Sequence, residues 1–581
     1  MPFQVVNNVG YAMLLAHLFI AEHKALSELN VPINGNFQGE FFSSVLTLRR
    51  KQIDAEYYGG FHCSALIGPN GVGKSSVLEV LELLTASTDS RALVVFYDQH
   101  DDKYFICGIN MDMADVEKVY ADSPWLFVSD NSDFLSRWRV SLVKVNNLPA
   151  DEGLLTLSSR KSGKYVKELT VRENVKSIKR RKQYFEKMLD YFSDGQIQND
   201  SMGEVAFAFS FSSSPVSILQ GVLDRMSLSD SDRVGLVKEW YGKRSHKVSF
   251  DDDLSLGSVF QSLVALNSLS ILSALAIDSG ISKKLFLRLL VREFSEVDLK
   301  NGPDMNDANR LRHTLHRMRS TDVARVLVSG EEILSPIDVQ IAVEKVEKHL
   351  EGYLSIFDSI AEAICDHCFD GESLDLNRVT TTDYFAIQKL TNLIGDLPGN
   401  VSANMNWGWR GISTGELARI HLFAEIYAFL KESGKDSNII VIDEADLYLH
   451  PEWQRTFLYD LLNQLDNMRS YENITSPQIV LCTHSPIIIS DFLPDNIISL
   501  RKDQDGQTEV VESFGFGNAI GDIYMDGMHL KSTFGEHAKQ RLDRIIARAR
   551  GGNLTDEDFN LIGKISNVHV RNFLLSHDKN K

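Results

Sequence analysis

Cysteine is scarce in this chain, with five in 581 residues, at positions 63, 107, 365, 368 and 482. So sparse and odd a set excludes a disulfide framework and fits a reducing, cytoplasmic setting. A chain of this length buries a core without such staples. Cys365 and Cys368 form a lone C-x-x-C around His367, and no second pair stands at zinc-ligand spacing. Two thiols on a buried helix are therefore expected there. Positive charge is also short: the formal net charge is -19. Any contact with nucleic acid must then come from local basic segments, not from the global field. Internal repeats and low-complexity tracts are missing, which argues against a solenoid or a disordered scaffold. The N-terminus, MPFQVVNNVGYAMLL, has no basic n-region and no clear cleavage site, against a secretory signal. The most apolar later run, 262–277, is interrupted by Asn267 and several serines. A buried helix is expected there, and no membrane partner.

What remains is an ordinary globular composition, 43% hydrophobic and 24% charged. The first hundred residues read as a helical start, a mixed region and a strand-loop-helix unit. VVFYDQHDDKYFICGINM, 94–111, reads as two strands around a turn at Asp98 to Asp102. From 112 to 395 the periodicity is mostly helical. Two apolar strands follow residue 401, then a hairpin around Asp503 to Gly506. The tail from 516 is helical and includes a basic segment, 537–550, stopped by Gly551 and Gly552.

The strongest signal is SALIGPNGVGKSSVLEVLELL, 64–84, with G-x-x-x-x-G-K-S from Gly68 to Ser75. Ala65, Leu66 and Ile67 end a buried strand. Val77, Leu78, Val80, Leu81 and Leu84 fall on one helical face. Glycines let backbone N–H groups close around phosphate oxygens without Cβ clashes, and the helix N-terminus aims its partial positive charge at the same anion. Lys74 is expected at the β- and γ-phosphates and Ser75 on Mg²⁺. The loop Gly68, Pro69, Asn70, Gly71, Val72, Gly73, with Ser76, completes the cradle.

Two later strands supply acids and a histidine. NIIVIDEAD, 438–446, delivers Asp443 and Glu444 at a strand's carboxyl end, where a parallel sheet places its ligands. Asp443 suits Mg²⁺ and Glu444 suits the general base for an attacking water. QIVLCTHSP, 478–486, ends in His484, within reach of a γ-phosphate or that water if the two strands are neighbours. ISTGE, 412–416, opens a helix with a hydroxyl at Ser413 and a small residue at Gly415, a second anion-binding end. One γ-phosphate does not require two such ends within one chain. A dimer does, if each copy caps the nucleotide of the other.

In order and content, GPNGVGKS, ISTGE, VIDEAD and the histidine after LCT resemble the Walker A, signature, Walker B and switch-histidine motifs of ABC-type ATPases. The wide gap between the first two resembles the SMC, RecF and OLD-like branch. DEADLYLHPEWQR followed by THSP is most similar to ATPase subunits of Septu-type antiphage systems, including those attached to retrons. The resemblance implies an α/β fold: a P-loop ABC-type ATPase head with a large, mostly helical insertion and a helical C-terminal tail. Lobe I would cover 1–111, the insertion 112–395, lobe II 396–515 and the tail 516–581. It implies ATP and Mg²⁺ bound between two copies. Lys74, Ser75, Asp443, Glu444 and His484 would come from one, and Ser413, Gly415 and Glu416 from the other. A homodimer or higher even oligomer is then expected. Gln99 is considered for the glutamine that usually follows the first lobe.

Asp503 and Asp505 are the nearest match to the D-x-D of an OLD-type nuclease, and they read as a hairpin turn, so nuclease chemistry is assigned to a partner. By resemblance that partner is an HNH-type nuclease, with a retron reverse transcriptase and its RNA-linked DNA as further partners. The alternative is a RecF- or SMC-like repair ATPase that clamps DNA directly, although no long heptad pattern is present. Two basic clusters bear on this: Lys176, Lys179, Arg180, Arg181 and Lys182, and Arg310, Arg312, Arg317 and Arg319 with His313 and His316.

Overall fold

The computed structural model describes residues 13–51, 56–146, 166–170, 178–193, 206–214, 235, 255–301, 305–319, 335–368, 378–433, 436–530 and 532–576. They divide into two compact units, Met1–Leu169 with Phe429–Lys581, and Thr170–Ala428. The division falls later than residue 112 for a physical reason. Strands Lys118–Ala121, Trp125–Val128 and Val140–Asn146 all pair with strands of the first unit. Two of them are only four residues long, too short for a period-2 pattern to stand out.

The first unit is built on a seven-stranded sheet. Its order is Val166–Thr170, Val140–Asn146, Ser437–Asp443, Gln478–Cys482, His62–Ile67, Ile497–Lys502, Thr508–Val511. The pairings from Val140–Asn146 through Ile497–Lys502 are parallel. Strand Ser437–Asp443 is buried at every position, as expected of a parallel strand covered on both faces. Three strands distant in sequence thus lie side by side. The strand before the phosphate loop neighbours the one that ends at Cys482, which in turn neighbours the acid strand. The last pairing, Ile497–Lys502 with Thr508–Val511, is an antiparallel hairpin whose turn uses Gly506 at φ 82°.

Residues 13–23 are a strand, which corrects the helical start expected from the sequence. Met13–His23 pairs antiparallel with both Leu26–Val31 and Arg91–Asp98. Its first eight residues are all buried. One face sends Met13, Leu15, Leu18 and Ile20 into the core shared with the phosphate-loop helix, and the other sends Leu14, Ala16 and Phe19 into a separate core. A bulge between Leu15 and His17 shifts the alternation. A strand buried on both faces shows no polar-apolar alternation, so its apolar run is indistinguishable from a helix. The hairpin expected at 94–111 forms, with Asp98 opposite Lys103. The tail is helical as expected, with Glu536–Gly551 ended by Gly552 at φ 68°.

The second unit is mainly helical. Leu256–Asp278, Lys283–Asn301, Asp307–Met318, Pro336–His367 and Tyr384–Asp396 are its long helices. A three-stranded antiparallel sheet accompanies them, with Ala206–Phe211 between Val379–Thr381 and Met405–Arg410. Leu256–Asp278 is long and apolar enough to cross a membrane by length and composition, yet 78% of its most apolar window is buried inside this protein. Its Asn267 sits in a buried network with Asn404, whose amide also reaches Ser270 at 2.8 Å. The interruptions in that apolar run are therefore hydrogen-bonded core residues. Cys365 lies in the last turn of Pro336–His367 and Cys368 caps it, while His367 pairs with Asp383 at 3.0 Å.

Candidate functional site

The loop after His62–Ile67 is shaped by its glycines. Gly68 has φ 145° and Gly73 φ 110°, values that side-chain-bearing residues rarely adopt. A Cβ on Gly68 would lie 2.5 Å from the Leu500 carbonyl oxygen, and one on Gly73 would lie 2.6 Å from Leu26 Cδ2. Helix Lys74–Glu82 starts directly after, anchored by Val77, Leu78, Val80 and Leu81. Its free N–H groups therefore face the loop. The Lys74 amine is buried and donates to the carbonyls of Gly68 at 2.8 Å and Pro69 at 3.2 Å. Burial lowers its pKa, while the charges of Cys482, Asp443, Glu444 and Asp446 oppose the shift. Ser75 and Ser76 follow in the first turn, with Ser75 exposed.

Asp443 is buried at the end of its strand, and its Oδ1 has no hydrogen-bond partner among the described residues. Its Oδ2 lies 3.7 Å from the Lys144 amine, which also reaches Glu82 at 3.3 Å. Asn146 is the register partner of Asp443 on the neighbouring strand, and its Oδ1 is likewise buried without a partner among the described residues. Paired residues of a parallel ladder share a face. Two unsatisfied oxygens on adjacent strand ends are costly in isolation and suit a bound cation. The donor set of oxygens fits Mg²⁺.

Glu444 turns the chain out of the strand with φ 52°, a strained value for a non-glycine residue. Burial raises its pKa, as do the charges of Asp443 and Asp446, against Lys74. His484 has its pKa lowered, first by burial and then by Lys74, which favours the neutral imidazole. His450 caps the next helix, Pro451–Tyr471, with Pro451 in its first turn as expected.

Ser413 and Glu416 belong to the second unit and form a reciprocal capping pair. The Ser413 N–H donates to the Glu416 carboxylate at 2.7 Å, and the Glu416 N–H donates to Ser413 Oγ at 3.3 Å. Gly415 is buried beside them. Gln99 does not fit the coupling role considered for it. It reaches His62 at 3.3 Å, at the start of strand His62–Ile67 and so at the end away from the phosphate loop.

The four arginines of the second basic cluster are engaged within their own unit, while His313 and His316 are exposed. Arg310 is buried, Arg312 makes two 2.7 Å bonds to Glu351, Arg317 lies 3.1 Å from Glu293, and Arg319 pairs with Glu347. Lys176 lies outside the described residues. Lys179, Arg180, Arg181 and Lys182 stand on helix Ile178–Ser193, and their side chains are also outside the description. In the tail, His537, Arg541, Arg544 and Arg548 recur at i, i+4, i+7 and i+11, a single stripe of helix Glu536–Gly551. Arg548 pairs with Asp558 at 3.0 Å, whereas Arg541 and Arg544 are exposed with no ion pair among the described residues.

Sequence reading alone missed Lys144, Asn146 and Asp446. Asp446 had a signal, being the third acid of DEAD. Lys144 and Asn146 had none, because only strand register brings them to Asp443.

Comparison with known proteins agrees on the class. A family model described as an AAA ATPase domain matches residues 322–489, a stretch that contains Ser413, Asp443, Glu444 and His484. Fold, site and match together define an ATPase. Proteins of more specific description are also similar to parts of the chain. Septu protein PtuA of Bacillus thuringiensis is 32% identical over 100 residues, 16% of this chain and 23% of that protein. The Retron Vc95 probable ATPase of Vibrio cholerae serotype O1 biovar El Tor is 37% identical over 59 residues, 10% of each chain. The matched stretches thus span less than a quarter of either relative.

Proposed function

We propose that this ATPase is the nucleotide-driven subunit of a Septu- or retron-type antiphage complex and that it regulates a partner nuclease. The observation that carries the reading is the adjacency of three parallel strand ends, which brings Lys74, the Asp443–Glu444 pair and His484 to one edge of one sheet. The backbone N–H groups of Gly68 to Gly73 and the Lys74 amine hold the β- and γ-phosphates of ATP. Ser75 and Asp443 hold Mg²⁺, which neutralises phosphate charge when bound. Glu444, kept partly desolvated, takes a proton from the attacking water, and neutral His484 hydrogen-bonds the γ-phosphate. Ser413, Gly415 and Glu416 of a second copy cap that phosphate, so a two-fold dimer encloses two nucleotides. Hydrolysis releases the cap and is read by an HNH-type nuclease, with a retron reverse transcriptase and its RNA-linked DNA as further members in the retron form. The setting is cytoplasmic.

The experiment is native mass measurement of the chain co-expressed with its genomic neighbours, with and without ATP. An even number of copies carrying a nuclease supports the reading. A bare homodimer that forms only with ATP overturns it in favour of a DNA-clamping repair ATPase.

The tail helix bears on that second reading. Arg541 and Arg544 have no intramolecular partner among the described residues, unlike the arginines at 310–319, and they stand at helical spacing suited to successive phosphates. Reversing both charges, Arg541→Glu with Arg544→Glu, is expected to weaken binding to duplex DNA about 10-fold and to reduce the salt slope by about two. Fluorescence anisotropy across a salt series measures both. An unchanged slope would leave the stripe as a solvated face.

A further inference from the structure

Asp446 lies two residues beyond Glu444, and its side chain faces the neighbouring strand end. Its Oδ1 accepts the Thr483 hydroxyl at 2.5 Å and the His484 backbone N–H at 3.0 Å. Both donors belong to the segment leaving strand Gln478–Cys482. Thr483 is fully buried, and its Oγ1 also accepts the Ser485 N–H at 3.0 Å. A second rung lies beside the first. The Ser485 hydroxyl donates to Gln454 Oε1 at 2.6 Å, and Gln454 Nε2 donates to the Leu449 carbonyl at 2.9 Å. Backbone bonds from Ala445 to Cys482 at 3.3 Å and from Thr483 to Leu66 at 3.4 Å close the frame. The turn that carries Glu444 and the turn that carries His484 are therefore one hydrogen-bonded body, joined to the strand that precedes the phosphate loop.

We propose that Asp446 is a positioning residue for hydrolysis, a strut that sets the spacing between the Glu444 carboxylate and the His484 imidazole. The proposal rests on the roles given to those two residues above. Three features point to it. A carboxylate accepting two bonds at one oxygen is among the stronger neutral-donor arrangements a protein makes. One of its donors is the backbone N–H of His484 itself, so the contact fixes where that residue stands and leaves the ring nitrogens to other partners. Glu444 is held in a strained conformation that persists only where its surroundings over-determine it, and Asp446 is the side chain in the same turn that crosses to the next strand. Misplacement of a catalytic group by about 1 Å costs on the order of 100-fold in rate.

The test uses four variants of the full chain: Asp446→Ala, Asp446→Asn, Thr483→Val and Thr483→Ser. Steady-state phosphate release gives kcat and KM, and titration with a fluorescent N-methylanthraniloyl ATP gives Kd. Asp446→Ala is expected to lower kcat about 30-fold while Kd stays within about twofold. Asp446→Asn keeps an oxygen that accepts the same two bonds and is expected to stay within about threefold of wild type. Thr483→Val loses one bond and falls between, and Thr483→Ser restores the rate. Wild-type turnover in Asp446→Ala overturns the strut. Equal loss of Kd and kcat in that variant overturns it as well, because a general staple weakens both. An Asp446→Asn rate as low as that of Asp446→Ala overturns it in favour of a charge effect. Wild-type protein that binds ATP without turnover overturns the hydrolysis reading itself, a result distinct from the other three.

Discussion

Glu444→Gln is expected to reduce ATP turnover by about 100-fold or more while nucleotide binding stays within a few-fold of wild type. The side chains match in size, and the strained backbone at φ 52° is unchanged in kind, so the variant folds. What the amide lacks is a proton acceptor of useful basicity. Burial and the neighbouring Asp443 and Asp446 charges raise the pKa of the wild-type carboxyl, a direction that suits the proposed base. Protonation of Glu444 therefore begins at a higher pH than for an ordinary glutamate, and kcat is expected to fall as the pH is lowered through that raised value. His484 contributes in the opposite direction. Its pKa is lowered, so its neutral form persists to lower pH and does not set the acid limb. If ATP also closes a dimer, the glutamine variant accumulates it, and native mass with ATP doubles. Phosphate release, the kcat–pH profile and native mass are the measurements. Turnover within about twofold of wild type would falsify the assignment of Glu444 as the base.

Some of this was legible in the sequence for a clear physical reason. A phosphate loop needs a strand, a run of glycines and a helix in immediate succession, so all of its determinants lie within one short segment, 64–84. The acid strand and the His484 strand were legible because fully buried parallel strands are continuous apolar runs that end abruptly in polar residues. Met13–His23 is ambiguous for a related reason: its first eight residues are buried on both faces, so an unbroken apolar run shows no period by which to tell a strand from a helix. Lys144 and Asn146 were invisible because their proximity to Asp443 depends on the register of two strands about 300 residues apart. The basic run at 310–319 leaves a solvated face and a nucleic-acid contact both open in the sequence, because its partners Glu293, Glu347 and Glu351 come from other helices. Charge is read locally in a sequence, but its availability is settled by packing.

The phosphate loop offers a second large effect, and it separates two kinds of glycine. Gly68 and Gly71 both have positive φ, 145° and 76°. A side chain on Gly71 would meet nothing within 4 Å, so Gly71→Ala incurs only the backbone penalty, about 1–2 kcal/mol. A side chain on Gly68 would meet the Leu500 carbonyl oxygen at 2.5 Å, Val72 Cγ1 at 3.0 Å and Leu500 Cβ at 3.2 Å. Leu500 cannot retreat freely. Its strand is paired through Ile498 with Leu66 and through Ser499 with Ile67, and on its other side Leu500 pairs with Val510. The loop must move instead, and the Gly68 carbonyl that accepts from Lys74 moves with it. Gly68→Ala is therefore expected to lower stability by about 2–4 kcal/mol and to abolish the ATP-induced rise in melting temperature. Gly71→Ala is expected to keep most of that rise. Thermal melts of both variants with and without ATP decide the matter. Equal behaviour of the two would mean that the left-handed backbone alone governs the loop, and that its close approach to the Leu500 strand contributes nothing to holding the phosphates.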